Sequence, residues 1–376
     1  MIYFDSAATT LQKPAAVAQA VAKAINTVTT PGRGDHPAAR QAAELMLSCR
    51  TEAAELFHTA EPDSVVFTSN ATHGLNIAIK SLVSPGDTVV ISGYEHNAVT
   101  RPLTAIGGVT VRVVNGRLFD PAQMVEGFSV ALREKVKAVI CTHVSNVYGY
   151  ALPIEEIAQL CRQRGIPLVV DASQSAGILP VDVEGWKAAY VAMPGHKGLY
   201  GPQGTGLLLC GAGQQPKALL EGGTGSLSRQ QDMPDFLPDR LEAGTHNVHG
   251  VTGLLEGLRF VRKQGVETIA RREAALIEAL SAGMMRLGKF RVFHRRGIDS
   301  SVLSAVPMGV DPEELAAWMA EKGVALRAGL HCAPLAHMTG GTLDTGTVRF
   351  SVSAFNTMAE VEQVLRLLRS RMEGRT

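Results

Sequence analysis

The chain has 376 residues, more than one ordinary hydrophobic core holds, so we expect two domains or one large α/β domain with an appendage. Hydrophobic residues make up 45% of the chain and charged residues 19%, which excludes a disordered protein. A formal net charge of +1 does not indicate nucleic acid or an anionic membrane as a partner.

No apolar run reaches the length of a membrane span, and the first five residues lack the pattern of a secretory signal. The five cysteines are odd in number and share no metal-ligand spacing, so neither a disulfide framework nor a metal site is predicted. A reduced, cytoplasmic protein is the simplest interpretation.

The first half of the chain shows strands and helices in alternation. We expect an irregular N-terminal segment at residues 1–13 and helices at 14–28 and 38–57. Strands are predicted at 65–68, 88–92, 109–114, 138–143, 167–171, 188–193 and 207–210, and helices at 72–82, 97–106, 121–133 and 154–164. This pattern predicts a large three-layer α/β domain with a seven-stranded, mostly parallel sheet covered on both faces.

The alternation ends after residue 214. Residues 222–247 are rich in loop-forming residues, and helices are predicted at 251–263 and 266–287, followed by short strands and helices. We therefore predict a large domain over 14–250 and a smaller α+β domain built from 1–13 and 251–376.

Lys197 lies in a loop rich in Gly and Pro, at 194–206, between two apolar strands. Such a lysine is either a solvated loop charge or an amine held at a strand end for chemistry. His196 beside it and the following glycines favour chemistry, since glycine lets the backbone pass close to a ligand. If it is buried beside cations, this amine could lose its proton and form a Schiff base with an aldehyde cofactor.

Four other strand ends carry polar side chains, those of Thr72, His96, Asn146 and Asp171. One interpretation is structural: Thr72 and Asp171 are helix caps, and His96 is a helix cap or a solvated side chain. The functional alternatives are a phosphate site at Thr72, stacking of His96 on a cofactor ring, and pairing of Asp171 with a protonated pyridine nitrogen. Because ligands bind at the carboxyl ends of parallel strands, we expect these residues and Lys197 to face one crevice.

Cys332 stands beside His331 in a loop bounded by Gly and Pro, whereas the other four cysteines lie in apolar segments and are interpreted as core residues. It is either a structural cysteine or a thiol whose thiolate form is favoured by its surroundings. Arg349 lies in a strand-like segment, where it either faces solvent or binds a carboxylate through two hydrogen bonds.

Taken together, these residues resemble the class V aminotransferase family, and within it the cysteine desulfurases. The matching motifs run nearly end to end and are Asp5-Ser6-Ala7-Ala8, Glu95-His96-Asn97, Ser145-Asn146-Val147, Val170-Asp171-Ala172-Ser173-Gln174, Gly195-His196-Lys197, Glu242-Ala243-Gly244-Thr245 and the loop at 327–334. The loop at 327–334 is the part specific to desulfurases. Its compact form is similar to the branch that includes the selenocysteine-lyase-like enzymes.

The resemblance implies a cofactor, pyridoxal 5′-phosphate, bound to Lys197. Asp171 would pair with the pyridine nitrogen, Gln174 would contact the ring hydroxyl and His96 would stack on the ring. The implied phosphate ligands are Ala71, Thr72 and His196, joined by Thr245 from the partner subunit of a homodimer.

The resemblance also implies how substrate binds and reacts. Asn146 would contact both cofactor and substrate, and Arg327 and Arg349 would bind the substrate. The implied catalytic residues are Lys197, Cys332 and His96, with Cys332 taking the sulfur. Two departures stand out: Pro194 replaces a serine that binds phosphate in many relatives, and Gly198 is an extra residue after the lysine.

The implied reaction converts L-cysteine to L-alanine and leaves a persulfide on Cys332. A sulfur-acceptor protein would then receive the outer sulfur atom of this persulfide. A selenocysteine lyase would use the same site, and another aminotransferase or lyase would use Lys197 without Cys332. A non-enzymatic phosphate-binding protein would account for the glycine-rich loops alone. The colour of the purified protein and sulfide release from cysteine distinguish these alternatives.

Overall fold

The computed structural model describes residues 1–32, 34–295 and 300–374. The helices within them are α1 (Ala15–Thr27), α2 (Pro37–Phe57), α3 (Ala71–Leu82), α4 (Asn97–Ile106), α5 (Pro121–Ala131), α6 (Ile154–Arg164), α7 (Val183–Trp186), α8 (Val248–Gln264), α9 (Val266–Leu287), α10 (Pro312–Glu321), α11 (Pro334–Gly340) and α12 (Met358–Met372). Among these helices, none combines the length and apolar character that crossing a lipid bilayer requires.

The strands of the same ranges are β1 (Ile2–Tyr3), β2 (Val65–Thr68), β3 (Thr88–Ser92), β4 (Thr110–Val114), β5 (Ala138–Thr142), β6 (Leu168–Asp171), β7 (Tyr190–Pro194), β8 (Gly206–Cys210), β9 (Phe290–Phe293), β10 (Val302–Pro307), β11 (Val324–Ala325), β12 (Arg327–Gly329) and β13 (Thr347–Ser351). The large sheet of the described chain has seven strands in the order β2-β8-β7-β6-β5-β3-β4. Six of these strands run in the same direction, and β8, between β2 and β7, runs opposite to them.

Every residue of the central strands β5 to β8 is buried, as a sheet covered on both faces requires. Alternate residues of one strand belong to different hydrophobic clusters: Val169 packs with residues of α3 and α4, and Val170 with residues of α2, α6 and α8. The period of two along a strand produces this alternation. The predicted seven-stranded, mostly parallel α/β domain is confirmed.

A second, smaller sheet has the antiparallel order β12-β13-β10-β9, and β1 pairs with β11 in a short parallel ribbon. Helices α9, α10 and α12 supply the hydrophobic residues that pack with this sheet. The ribbon joins the start of the chain to its C-terminal third. The small sheet agrees with the predicted smaller C-terminal α+β unit.

Element boundaries differ from the predictions where a side-chain cap decides them. Helix α8 begins at Val248 rather than residue 251, because the Asn247 side chain accepts a hydrogen bond from the backbone N–H of Gly250 at 3.0 Å. The predicted domain boundary at residue 250 therefore falls inside α8, whose Leu254 is buried in the same cluster as Met46 of α2. The division of the chain into 14–250 and 1–13 with 251–376 stays a prediction.

Candidate active site

A cavity of about 100 Å³ lies at the carboxyl ends of the parallel strands, where the sequence predicts a crevice. It brings together eight of the predicted site residues, which are Ala71, Thr72, His96, Asn146, Asp171, Gln174, His196 and Lys197. Arg327, Arg349, Cys332 and Thr245 are not part of its lining within the described chain.

Lys197 is partly buried and follows β7 in the loop that returns to β8. Burial lowers the pKa of its amine to about 8; the carboxylate of Asp171 opposes this change, and the guanidinium of Arg349 adds to it. An amine with a pKa of about 8 is partly neutral near neutral pH, and the neutral form is the nucleophile. The surroundings of Lys197 therefore favour amine chemistry.

The extra glycine after the lysine has a packing reason. A Cβ atom on Gly198 would lie 2.4 Å from the carbonyl oxygen of Ala176, far inside van der Waals contact. Only glycine allows the lysine loop to approach the segment after β6 this closely. Pro194, the other departure, lies on the cavity wall and offers no side-chain donor there.

Asp171 is the last residue of β6 and is only 2% exposed. Its Oδ1 accepts a hydrogen bond from the backbone N–H of Ser173 at 2.9 Å. The carboxylate thus caps a turn rather than a helix, and it also lines the cavity. A second acceptor oxygen remains for a donor in the cavity.

The start of α3 forms one end of the cavity. The Asn70 side chain caps this helix by accepting from the backbone N–H of His73 at 2.9 Å, and Ala71 and Thr72 follow it. The first backbone N–H groups of a helix lack intrahelical partners and attract anions. Nearby, Nδ1 of His196 is buried with no hydrogen-bond partner among the described residues. Burial lowers the pKa of His196 to about 4, so its ring is neutral.

His96 is both a helix cap and part of the cavity wall. Its Nδ1 accepts a hydrogen bond from the backbone N–H of Ala98 at 3.0 Å, so the ring hydrogen resides on Nε2. Burial lowers the pKa of His96, although the negative charge of Asp171 acts in the opposite direction. His96 is therefore a neutral ring held in place by α4.

The N-terminal segment, residues 4–13, lies across the site and ties the two sheets together. Gln174 donates from Nε2 to the carbonyl of Ala7 at 3.0 Å, and Lys13 donates from Nζ to the carbonyl of His196 at 2.9 Å. Burial lowers the pKa of Lys13 to about 8. The sequence interpretation assigned no role to Lys13, and only the Asp5-Ser6-Ala7-Ala8 motif indicated that this segment belongs to the site.

Arg349 is 2% exposed in the middle of β13, so the solvent-facing alternative is wrong. Its guanidinium donates to Oδ1 of Asp5 at 2.8 Å and to the carbonyl of Asn146 at 3.1 Å. Its Nε is buried and has no partner in the part of the chain that the structure describes. Asp5 is thus an internal counter-charge for Arg349 that sequence analysis did not identify. Arg327 is exposed on the neighbouring strand β12 and pairs in register with Arg349.

Cys332 is exposed, and the other four cysteines are buried, as predicted. Its backbone carbonyl accepts from the N–H of Asn97, next to His96, at 2.9 Å. The Asn146 side chain donates to the carbonyl of His331 at 2.8 Å. The turn that carries the thiol is therefore bonded to two sides of the cavity.

The histidine beside this cysteine does not supply a positive charge. Burial, and then the positive charge of Arg349, lower the pKa of His331 to about 2. The imidazole is neutral at physiological pH. His331 therefore does not favour a Cys332 thiolate through a positive charge of its own. The sequence places an imidazole beside the thiol, and burial keeps that imidazole neutral.

Glu95 is a buried site residue to which sequence reasoning gave no role. Its Oε1 accepts from the hydroxyl of Ser92 and from the backbone N–H of Thr142, which lines the cavity, at 2.7 Å. Burial raises the pKa of Glu95 to about 8. Its place directly before His96 in the Glu95-His96-Asn97 motif is the signal that could have identified it.

Thr245 is exposed and lies in a different depression, together with His73 and Glu242. Glu242 forms a buried, bidentate ion pair with Arg50, with oxygen–nitrogen distances of 2.8 and 2.6 Å. This pair holds the segment that carries Thr245 against α2. The prediction that Thr245 serves the site of a partner subunit stays a prediction.

The family described as aminotransferase class-V matches residues 2–364 of this chain. A probable cysteine desulfurase of Mycolicibacterium paratuberculosis is 32% identical over 100% of the chain, which spans 56% of that protein. A probable cysteine desulfurase of Xylella fastidiosa is 32% identical over 98% of the chain and 90% of its own length. The apo structure of a cysteine desulfurase from Thermococcus onnurineus NA1 has a TM-score of 0.90 and 28% identity, covering 99% of this chain and 95% of that one.

Proposed function

The chain belongs to the class-V aminotransferase family, and on that premise we propose that it is a pyridoxal-phosphate-dependent cysteine desulfurase. The overall reaction converts L-cysteine to L-alanine and the Cys332 thiol to a persulfide. One observation carries the proposal: the exposed Cys332 lies on a turn bonded to both Asn146 and Asn97 at the cavity that holds Lys197. An aminotransferase without sulfur chemistry does not need that thiol.

The donor set of the cavity fits pyridoxal phosphate from end to end. Asp171 would provide a carboxylate for the pyridine nitrogen, and Gln174, which lines the same cavity, would contact the ring hydroxyl. The phosphate would lie at the start of α3 against Ala71 and Thr72, where the unpartnered Nδ1 of His196 is a further ligand. We assign the covalent attachment to Lys197, because burial has brought the pKa of its amine to about 8.

Arg349 would bind the substrate carboxylate, with Arg327 and Asn146 beside it. Arg349 is oriented from two sides, by Asp5 and by the carbonyl of Asn146, and its Nε remains a donor without a described partner. A charge-assisted hydrogen bond from a fixed, buried guanidinium is about twice as strong as a neutral one. The amino-acid end of cysteine would therefore be held next to the Cys332 turn.

When bound, pyridoxal phosphate withdraws electrons from the substrate, which weakens the Cα–H and Cβ–S bonds of cysteine. The Lys197 amine takes the proton from Cα and later returns a proton to the carbon skeleton. Sγ of Cys332 attacks the substrate sulfur as the thiolate; the S–S bond forms while the Cβ–S bond breaks, and Cβ gains a proton. One cysteine and one enzyme thiol thus yield one alanine and one persulfide, with no external oxidant.

We propose that the functional unit is a homodimer in which the partner subunit's Thr245 completes the phosphate site, and that a sulfur-acceptor protein collects the persulfide sulfur. The exposure of Thr245 and Cys332 in one chain supports both proposals. A selenocysteine lyase remains the alternative that uses the same site, and a cytoplasmic location stays a prediction.

The test is cofactor content followed by product balance. Purified protein supplied with pyridoxal phosphate should absorb in the visible range. After reduction with borohydride, peptide mapping should find the cofactor attached to Lys197. L-cysteine with a reductant should yield sulfide and alanine in equal amounts. Lys197→Ala should lose both properties, whereas Lys23→Ala, on an exposed face of α1, should keep them. Amino-group transfer to a 2-oxo acid without sulfide would overturn the proposal.

A further inference from the structure

The backbone at Cys332 is unusual, because two successive residues with side chains adopt a left-handed conformation. His331 has φ of 50° and Cys332 has φ of 56°. Residues other than glycine are strained in this conformation, so the turn persists only where its surroundings hold it. The two carbonyl contacts to Asn146 and Asn97 are part of that support.

Further support comes from the imidazole of His331. Its Nε2 lies 3.1 Å from the hydroxyl and 3.2 Å from the carbonyl of Thr347 on β13. The Thr347 hydroxyl donates to Ser304 at 3.2 Å, and the Ser304 hydroxyl donates to the carbonyl of Val147 at 2.6 Å. Since both hydroxyl hydrogens are used further along this chain, the contact to Thr347 needs a hydrogen on Nε2.

This hydrogen-bond chain connects the thiol turn to the centre of the small sheet and ends one residue after Asn146. All its members, His331, Thr347, Ser304 and Val147, are buried. With the hydrogen on Nε2, the lone pair lies on Nδ1, which is buried and has no partner among the described residues. Neither nitrogen is therefore placed to exchange protons with water or with the exposed thiol.

We propose that His331 is a positioning residue, a neutral imidazole that holds the Cys332 turn against the cavity through its Nε2–H group. It does not act as a base for the thiol or as a cation that stabilises the thiolate. The proposal rests on the desulfurase function proposed above, in which Cys332 must meet the substrate sulfur. The low pKa of His331 agrees with a ring that keeps one charge state throughout.

Two amide variants distinguish positioning from acid–base chemistry. His331→Gln carries an NH₂ group at a distance similar to that of Nε2 and can still donate to Thr347. His331→Asn carries the same amide on a shorter side chain that does not span that distance. Asparagine tolerates left-handed backbone well, so the shorter variant keeps the turn conformation accessible. Neither amide titrates, so both lose any acid–base function equally.

In the holoenzyme, we expect His331→Gln to form the persulfide within about threefold of the wild-type rate in a single turnover. His331→Asn should be at least tenfold slower, with unchanged cofactor absorbance and an unchanged KM for cysteine. The pH profile of Cys332 alkylation by iodoacetamide should keep its inflection in His331→Gln. Equal impairment of both variants, or a displaced inflection in His331→Gln, would overturn the proposal, and so would wild-type rates in both.

Hydrogen exchange separates this inference from the function on which it rests. Peptides covering residues 330–340 should exchange alike in the wild type and His331→Gln, and several-fold faster in His331→Asn. If the wild type forms no persulfide from cysteine, the proposed function fails, yet this exchange pattern still reports whether His331 holds the turn. Identical exchange in all three proteins would contradict the positioning role whatever the enzyme does.

Discussion

The electrostatic coupling between Asp171 and Lys197 gives the sharpest quantitative prediction. Burial lowers the pKa of Lys197 from 10.5 to about 8, and Asp171 is the largest influence that opposes this change. At pH 7.5, an amine with a pKa of about 8 is neutral in roughly a quarter of molecules, against about one in a thousand at 10.5. The neutral fraction of Lys197 at this pH is therefore roughly 200-fold larger than that of an ordinary lysine.

Replacing Asp171 with asparagine removes the carboxylate that favours the charged amine, so the pKa of Lys197 should fall below about 8. The neutral fraction at pH 7.5 then rises from roughly a quarter toward one, a gain of at most about fourfold. The variant should keep the cofactor but lose most turnover, because an amide does not keep a pyridine nitrogen protonated. Asp120→Asn makes the same change at the cap of α5, outside the cavity, and is the matched control.

The assay is competitive acetylation of the cofactor-free protein between pH 6 and 10.5, with Lys197 quantified by peptide mass spectrometry. The wild type and Asp120→Asn should show an inflection near pH 8, and Asp171→Asn should show it lower. A wild-type inflection near 10.5 would refute the buried-amine argument. An inflection that stays in place or rises in Asp171→Asn would show that the carboxylate does not act on Lys197.

Three further variants test other parts of the structure. Arg349→Ala should raise the KM for cysteine roughly ten- to a hundredfold, because a charge-assisted carboxylate contact is worth about 1.5–3 kcal/mol; an unchanged KM would exclude carboxylate binding. Arg50→Ala should destabilise the protein by about 3–5 kcal/mol in thermal unfolding, because it leaves the buried Glu242 without its bidentate arginine partner; an unchanged melting temperature would contradict this. Gly198→Ala should weaken cofactor binding in a fluorescence titration, because its Cβ would meet Ala176; wild-type affinity would show that the loop adapts.

The sequence predicts the large sheet and the position of the cavity well, because both follow from local patterns. Apolar runs of four to six residues indicated the strands, and the rule that ligands bind at strand ends placed Thr72, His96, Asn146 and Asp171 together. Each of these residues ends or follows a strand of the same sheet. Their convergence therefore needed no knowledge of side-chain packing.

The connections between distant segments could not be predicted in this way. Asn146 contacts His331 across 185 positions, and Arg349 contacts Asp5 across 344. Such contacts depend on how the small sheet packs against the large one, and no local periodicity encodes that. The neutrality of His331 is not encoded locally for the same reason, since it comes from burial in the folded chain.

The site of sulfur transfer is the central claim, and the most direct measurement is peptide mass spectrometry after one turnover with L-cysteine without reductant. We expect a persulfide on Cys332 and none on Cys49, Cys141, Cys161 or Cys210, which are buried. Cys332→Ala should keep the cofactor absorbance and exchange of the substrate α-proton but lose cysteine turnover by orders of magnitude. Full turnover in Cys332→Ala, or a persulfide on any of the other four cysteines, would contradict the desulfurase mechanism.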